Sequence, residues 1–105
     1  MTRETESWTR NWEQCRTALF EFLGRIEGGD VEEAGTVLRK VRECRETWIE
    51  PPDPELRLLV HRVLDEVWEA ARASLYGDLE SSRQHTAAAH YLAREVQAIL
   101  DFRVS

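Results

Sequence analysis

The stretch from Leu56 to Leu75 constrains the fold of this chain more than any other part of the sequence. Its apolar residues recur at steps of three and four, which places them on one face of an α-helix. They are Leu56, Leu59, Val60, Val63, Leu64, Val67, Trp68, Ala71 and Leu75. Because this stripe is wider than the two-position seam of a coiled coil, we expect a central helix with neighbours on more than one side.

Two amphipathic segments precede this helix. The first runs from about Thr5 to about Glu27, with apolar residues at alternating steps of four and three. They are Trp8, Trp12, Cys15, Leu19, Phe22 and Ile26. Gly28 and Gly29 should end that helix, and Asp30 with Glu33 forms a capping-box pattern for the next. The second helix should end near Trp48 or Ile49, and its apolar face comprises Val31, Ala34, Val37, Leu38, Val41, Cys44 and Trp48.

Proline and glycine mark the remaining boundaries. The run from Pro51 to Pro54 interrupts the helical pattern, with Asp53 as the cap of the central helix and Pro54 at its first position. Gly77 leaves two hypotheses open: it ends the third helix before a fourth capped by Asp78, or one long bent helix continues to Phe102. The predicted fold is therefore an all-α, antiparallel bundle of three to four helices.

The last segment differs from the others in the size of its inward-facing residues. Ser82, Thr86, Ala88 and Ala89 are small or polar, and large apolar residues return only at Tyr91 and beyond. Small side chains allow a neighbouring helix to approach closely, or they leave a groove that another molecule fills. Both alternatives remain open from the sequence.

Length and charge limit the classes of function. The 105 residues predict one helical domain over 1–105. The formal net charge of −6 disfavours binding to nucleic acid or to anionic membranes. The polar residues after Met1 predict no secretory signal, and the apolar runs are too short to predict a membrane span. We therefore expect a cytoplasmic protein that does not insert into a membrane.

Apart from one short motif described below, no residue pattern predicts a metal site, a cofactor site or a catalytic site. Cys15 and Cys44 fall on apolar helix faces and are expected to be buried free thiols. His61, His85 and His90 lack the acidic residue three positions earlier that a helical di-metal site requires. We therefore predict a chain without catalytic activity.

One short motif gives an enzyme alternative. Arg83 and His90 are separated by six residues, and Gln84 follows the arginine. This spacing resembles the Arg-x(4–6)-His motif of HEPN ribonucleases, which are also small all-α proteins. The resemblance implies that the arginine and histidine of two protomers would meet at a dimer interface to cleave RNA.

The layout of the chain gives a second resemblance. A first helix is followed by Gly-Gly-Asp-Val-Glu-Glu-Ala, then by the segment 38–45, a proline-rich turn, a long helix containing Leu-Asp-Glu-Val, and Ala-His-Tyr near the end. This order resembles the small flagellar export chaperones of the filament-cap (FliT-like) type over about residues 12 to 100. The resemblance implies a cytoplasmic chaperone that binds a helical segment of an export substrate.

Together these patterns predict a helical binding or adaptor protein that takes up a partner's amphipathic helix. Grooves lined by aromatic residues are common sites for such helices, and the sequence contains four tryptophans. The predicted partner-binding residues are Trp8, Trp12, Trp68, Ala71 and Leu75. A structural homo-oligomer, such as a two-fold dimer, is a further alternative.

Overall fold

The computed structural model describes residues 3–26, 31–51 and 53–104, which form four α-helices. They are α1 (Arg3–Ile26), α2 (Val31–Glu46), α3 (Pro54–Leu75) and α4 (Leu79–Val104). Within these ranges there is no strand, and the all-α prediction is confirmed. Residues 27–30, including the predicted cap Asp30, lie outside the described residues, as does the side chain of Phe22.

The start of α3 follows from its local chemistry. The Asp53 carboxylate accepts hydrogen bonds from the backbone N–H groups of Glu55 at 2.8 Å and Leu56 at 3.3 Å. Pro54 occupies the first turn, where its missing N–H leaves no hydrogen bond unmade. The Arg57 side chain also donates to the carbonyl of Pro51 at 2.9 Å. The predicted cap is confirmed, and the proline-rich turn is tied to the first turn of α3.

Gly77 separates α3 from α4. Its φ of 79° lies in the left-handed region, which glycine adopts without strain. The N–H of Asp78 donates to the carbonyl of Ala73 at 2.9 Å, and the N–H of Gly77 donates to Ser74 at 3.1 Å. These are the hydrogen bonds of a Schellman C-cap. Asp78 then accepts from Ser81 N–H at 3.1 Å, so the four-helix hypothesis is confirmed and the single long helix is wrong.

The second helix ends earlier than predicted. It stops at Glu46, and the N–H of Thr47 closes a final turn on the carbonyl of Glu43 at 3.1 Å. Trp48 therefore lies in the connection to α3, with its ring 6.0 Å from that of His61. The Trp48 ring therefore contacts α3 and does not belong to the apolar face of α2.

Helix α3 lies at the centre of the bundle and packs against the other three helices. The Ser74 hydroxyl reaches the carbonyl of Ile26 at 3.4 Å, so α1 and α3 end at the same end of the bundle. The buried residues of α3 are Leu56, Val60, Val63, Leu64, Val67, Ala70, Ala71 and Ser74. The predicted face is therefore nearly correct, although Leu59 and Trp68 are only partly buried and Leu75 is 36% exposed.

The small residues of α4 pack closely on α3. Ser82, Thr86 and Ala89 are all buried, and the interface between these two helices is the most extensive in the bundle. The Ser82 hydroxyl donates to the carbonyl of Ala70 at 2.9 Å, and the Thr86 hydroxyl donates to that of Ser82 at 2.8 Å. The sequence left open whether these small residues allow close helix packing or leave a groove for another molecule. In the structure they allow close packing on α3. Tyr91, predicted among the apolar positions, is exposed.

Candidate partner-binding site

Three of the five predicted partner-binding residues lie inside the core. Trp8, Trp12 and Ala71 are buried, and the two indole rings stack with their centroids 6.3 Å apart. Both tryptophans lie near the start of the chain, but α1 begins at Arg3 and Trp8 lies more than a full turn inside it. These three residues therefore offer no surface to a partner in this conformation.

Trp68 and Leu75 are accessible but belong to different places. Trp68 lines a groove of about 470 Å³ between α2 and α3, together with Arg42, Arg45, Glu46 and Asp65. Arg45 crosses this groove to Asp65, at 2.6 Å between nitrogen and oxygen. Leu75 lies at the last residue of α3, about 10 Å further along its axis. The structure does not bring the five predicted residues together.

A second groove separates α1 from α4 and was not predicted from the sequence. Its volume is about 400 Å³, and it is lined by Arg16, Thr17, Phe20, His90, Ala93, Arg94 and Gln97. The Phe20 ring lies 4.6 Å from the imidazole of His90, measured between centroids. Phe20 also packs against the core. An aromatic ring and a methyl group therefore provide the apolar surface of this groove.

The charges that line the α1/α4 groove are opposite in sign to the net charge of the chain. Arg16 on α1 and Arg94 on α4 both contribute to its wall. Among the described residues, no carboxylate lies within ion-pairing distance of either guanidinium. Two unneutralised arginines beside an apolar surface can attract a carboxylate while Phe20 and Ala93 contact apolar side chains.

The ribonuclease alternative rests on two residues that α4 holds apart. Arg83 and His90 are both exposed. Seven positions along a helix correspond to about 10 Å of axial rise. His90 lines the α1/α4 groove, and Arg83 is not among the groove residues that the structure describes. Within one chain the two side chains therefore lie two turns apart.

The other histidines take part in contacts between elements. His61 lies 2.7 Å from a Glu50 carboxylate oxygen, and His85 lies 2.5 Å from one of Glu66. Across residues 3–26, 31–51 and 53–104, no group of three histidine, cysteine or acidic residues is arranged to hold a metal ion. In the same part of the chain, no helix has both the length and the apolar character to cross a membrane.

The fold and the groove define this chain as an all-α four-helix bundle with a basic, partly apolar cleft between its first and last helices. Comparison with family models, curated proteins and solved structures finds no match to the chain. The sequence held one indication of the cleft: Phe20 lies outside the main apolar stripe of α1. The contact of this partly buried ring with His90 on α4 depends on tertiary packing.

Proposed function

We propose that this chain is a non-catalytic, cytoplasmic adaptor or chaperone-like protein that binds an acidic amphipathic helix of a partner protein in the α1/α4 groove. The observation that carries the proposal is the pairing of Phe20 and Ala93 with Arg16 and Arg94 in one open groove. The resemblance in layout to flagellar export chaperones agrees with such a role.

The apolar part of the groove favours a helical ligand. A helix bound in a groove presents side chains at steps of three, four and seven residues. Phe20 and Ala93 lie on opposite walls of the groove, on α1 and α4. A leucine from the ligand can therefore contact both helices, while its neighbours one turn away extend along the groove.

The charge of the groove selects the ligand's flanking residues. Glutamates beside the apolar positions can pair with Arg16 and Arg94. A basic ligand would gain from the overall charge of −6 but would face two arginines in the groove. Local and overall electrostatics therefore favour opposite ligands, and this opposition makes the proposal testable.

The test uses two synthetic helical peptides with the same leucine pattern, one flanked by glutamates and the other by lysines. Isothermal titration calorimetry measures the affinity of the full chain for each. We expect the glutamate peptide to bind more tightly and to lose affinity as salt increases. The double variant Arg16→Glu/Arg94→Glu should weaken it by about tenfold or more, since each reversal replaces an attraction with a repulsion.

The matched control is Arg39→Glu/Arg62→Glu, which changes the net charge equally at exposed positions of α2 and α3 outside the groove. It should leave the affinity for the glutamate peptide within about twofold, with circular dichroism confirming the fold of both variants. Equal or tighter binding of the lysine peptide would contradict the proposal. A chain that is dimeric by light scattering, and that dissociates under Arg16→Glu/Arg94→Glu, would assign the groove to a second copy instead.

A further inference from the structure

The two cysteines of the chain lie on the neighbouring helices α1 and α2 and line one cavity. Cys15 belongs to α1 and Cys44 to α2, two helices that pack against each other, and both cysteines line the same small cavity. Both are free thiols, with 7% and 8% of their surface exposed. The prediction of buried free thiols is confirmed, and the structure adds that both line one cavity.

A small surface cavity gives access to this pair. Its volume is about 270 Å³, and both cysteines line it. The polar residues around them include Asn11, Gln14, Lys40 and Thr47. Lys40 is held at the surface by an ion pair with Glu43 at 3.7 Å. A molecule as small as hydrogen peroxide can reach the sulfurs, whereas the low exposure of both thiols hinders a bulky reagent.

The two thiols are chemically unequal. The pKa of Cys44 is lowered, chiefly by a hydrogen bond from the Cys15 thiol, which outweighs the opposing effects of burial and of the Glu43 carboxylate; the positive charge of Lys40 also lowers it. That hydrogen bond and burial raise the pKa of Cys15. Because the thiolate is the reactive form of cysteine, Cys44 is the sulfur that reacts first, and Cys15 remains protonated beside it.

We propose that Cys15 and Cys44 form a dithiol site that a hydroperoxide oxidises to an intrachain disulfide between α1 and α2. The inference rests on two buried free thiols that line one surface cavity from neighbouring helices. It is independent of partner binding at the α1/α4 groove, since the two sites share no residue.

The reaction balances with hydrogen peroxide as the oxidant. The Cys44 thiolate attacks one oxygen, the O–O bond breaks, and the departing hydroxide takes up the proton that Cys44 released, which gives a sulfenic acid and one water. The Cys15 sulfur then attacks the Cys44 sulfur, and the S–O bond breaks. The departing hydroxide takes the Cys15 proton to give a second water. Two thiols have lost two electrons, and one peroxide has become two waters.

The test treats the full chain with one equivalent of hydrogen peroxide, blocks remaining thiols with an alkylating reagent after denaturation, and measures the intact mass. We expect a monomer that has lost two hydrogens and carries no alkyl group, and that regains two alkylation sites after reduction. The folded chain should form this disulfide at least tenfold faster than the urea-unfolded chain, because folding holds the sulfurs together.

Single variants test the order of the two steps. With Cys15→Ser or Cys15→Ala, Cys44 should accumulate a sulfenic acid that dimedone traps, whereas the matching changes at Cys44 should leave little dimedone adduct on Cys15. Circular dichroism shows which variant of each pair keeps the fold. The proposal is wrong if the folded chain forms the disulfide no faster than the unfolded chain. It is also wrong if the mass of the folded chain shows no loss of two hydrogens, because the helix backbones would then be keeping the sulfurs from bonding at about 2 Å.

Discussion

Alanine substitutions at Gly77 and Gly35 should change stability in opposite directions, although both positions are open. An added Cβ would meet no heavy atom within 4 Å at either site. Gly77 has a φ of 79°, and a side chain there costs about 1–2 kcal/mol. Gly35 lies inside α2 (Val31–Glu46), where alanine is favoured over glycine by about 0.5–1 kcal/mol. The same chemical change therefore tests backbone conformation alone.

The two magnitudes give a measurable contrast. Gly77→Ala should lower the free energy of unfolding by about 1–2 kcal/mol, and Gly35→Ala should raise it by about 0.5–1 kcal/mol. The midpoint temperatures should move apart accordingly, by about 4–8 °C for each kcal/mol in a domain near this size. Urea titrations followed by far-UV circular dichroism measure both free energies, and the double variant should be additive because an added Cβ at either site meets no heavy atom within 4 Å.

A neutral or stabilising effect of Gly77→Ala would refute this reasoning. It would mean that residue 77 adopts a helical backbone in solution and that α3 continues into α4. Gly24→Ala provides a further control, since Gly24 is exposed inside α1 and its added Cβ also meets nothing within 4 Å. If alanine lowered the free energy of unfolding at Gly24 and Gly35 as well as at Gly77, the backbone conformation of the glycine would not determine the sign of the change.

The remaining predictions concern a cap, the core and the absence of catalysis. Asp53→Ala removes the acceptor for two backbone N–H groups at the start of α3 and should lower the free energy of unfolding by about 0.5–2 kcal/mol; Asp53→Asn should restore most of it in the same urea titration. Leu64→Ala removes a buried side chain of α3 and should lower the free energy of unfolding by about 2–5 kcal/mol. Leu58→Ala, at an exposed position of the same helix, should not produce a comparable loss. The purified chain should not cleave single-stranded RNA in a gel assay; cleavage that Arg83→Ala and His90→Ala each abolish, with the fold intact, would establish the ribonuclease alternative.

Sequence reasoning succeeded where structure is decided by local chemistry. Asp53 and Pro54 specify the start of α3 through one carboxylate and one missing N–H, and neither depends on the rest of the chain. The end of α3 was harder to predict. The apolar repeat continues across Gly77, and one interior glycine costs a helix only about 1 kcal/mol. The cap hydrogen bonds at Gly77 and Asp78 stabilise the turn, but the packing of α4 back onto α3, which the local sequence does not show, also favours it over a continuous helix.

The candidate site was predicted less well because exposure is a property of several helices at once. Trp8 and Trp12 lie near the start of the chain, yet both are buried. Position along the sequence does not indicate which side chains a neighbouring helix will cover. Arg16 and Arg94 are distant in sequence, and no periodicity relates residues that meet only when α1 and α4 are placed side by side.

Helix α4 contributes to the fold and to the groove with different residues. Ser82, Thr86 and Ala89 let α4 approach α3 closely, and the two hydroxyl groups satisfy their hydrogen bonds on backbone carbonyls within this interface. The α4 residues that line the groove come later in the helix: they are His90, Ala93, Arg94 and Gln97. On the α1 side, the Phe20 ring lies 4.6 Å from the His90 ring, measured between centroids, and the two rings span part of the groove. Because the α3 contact and the groove use different positions of α4, a substitution at Arg94 can change the charge of the groove without altering Ser82, Thr86 or Ala89.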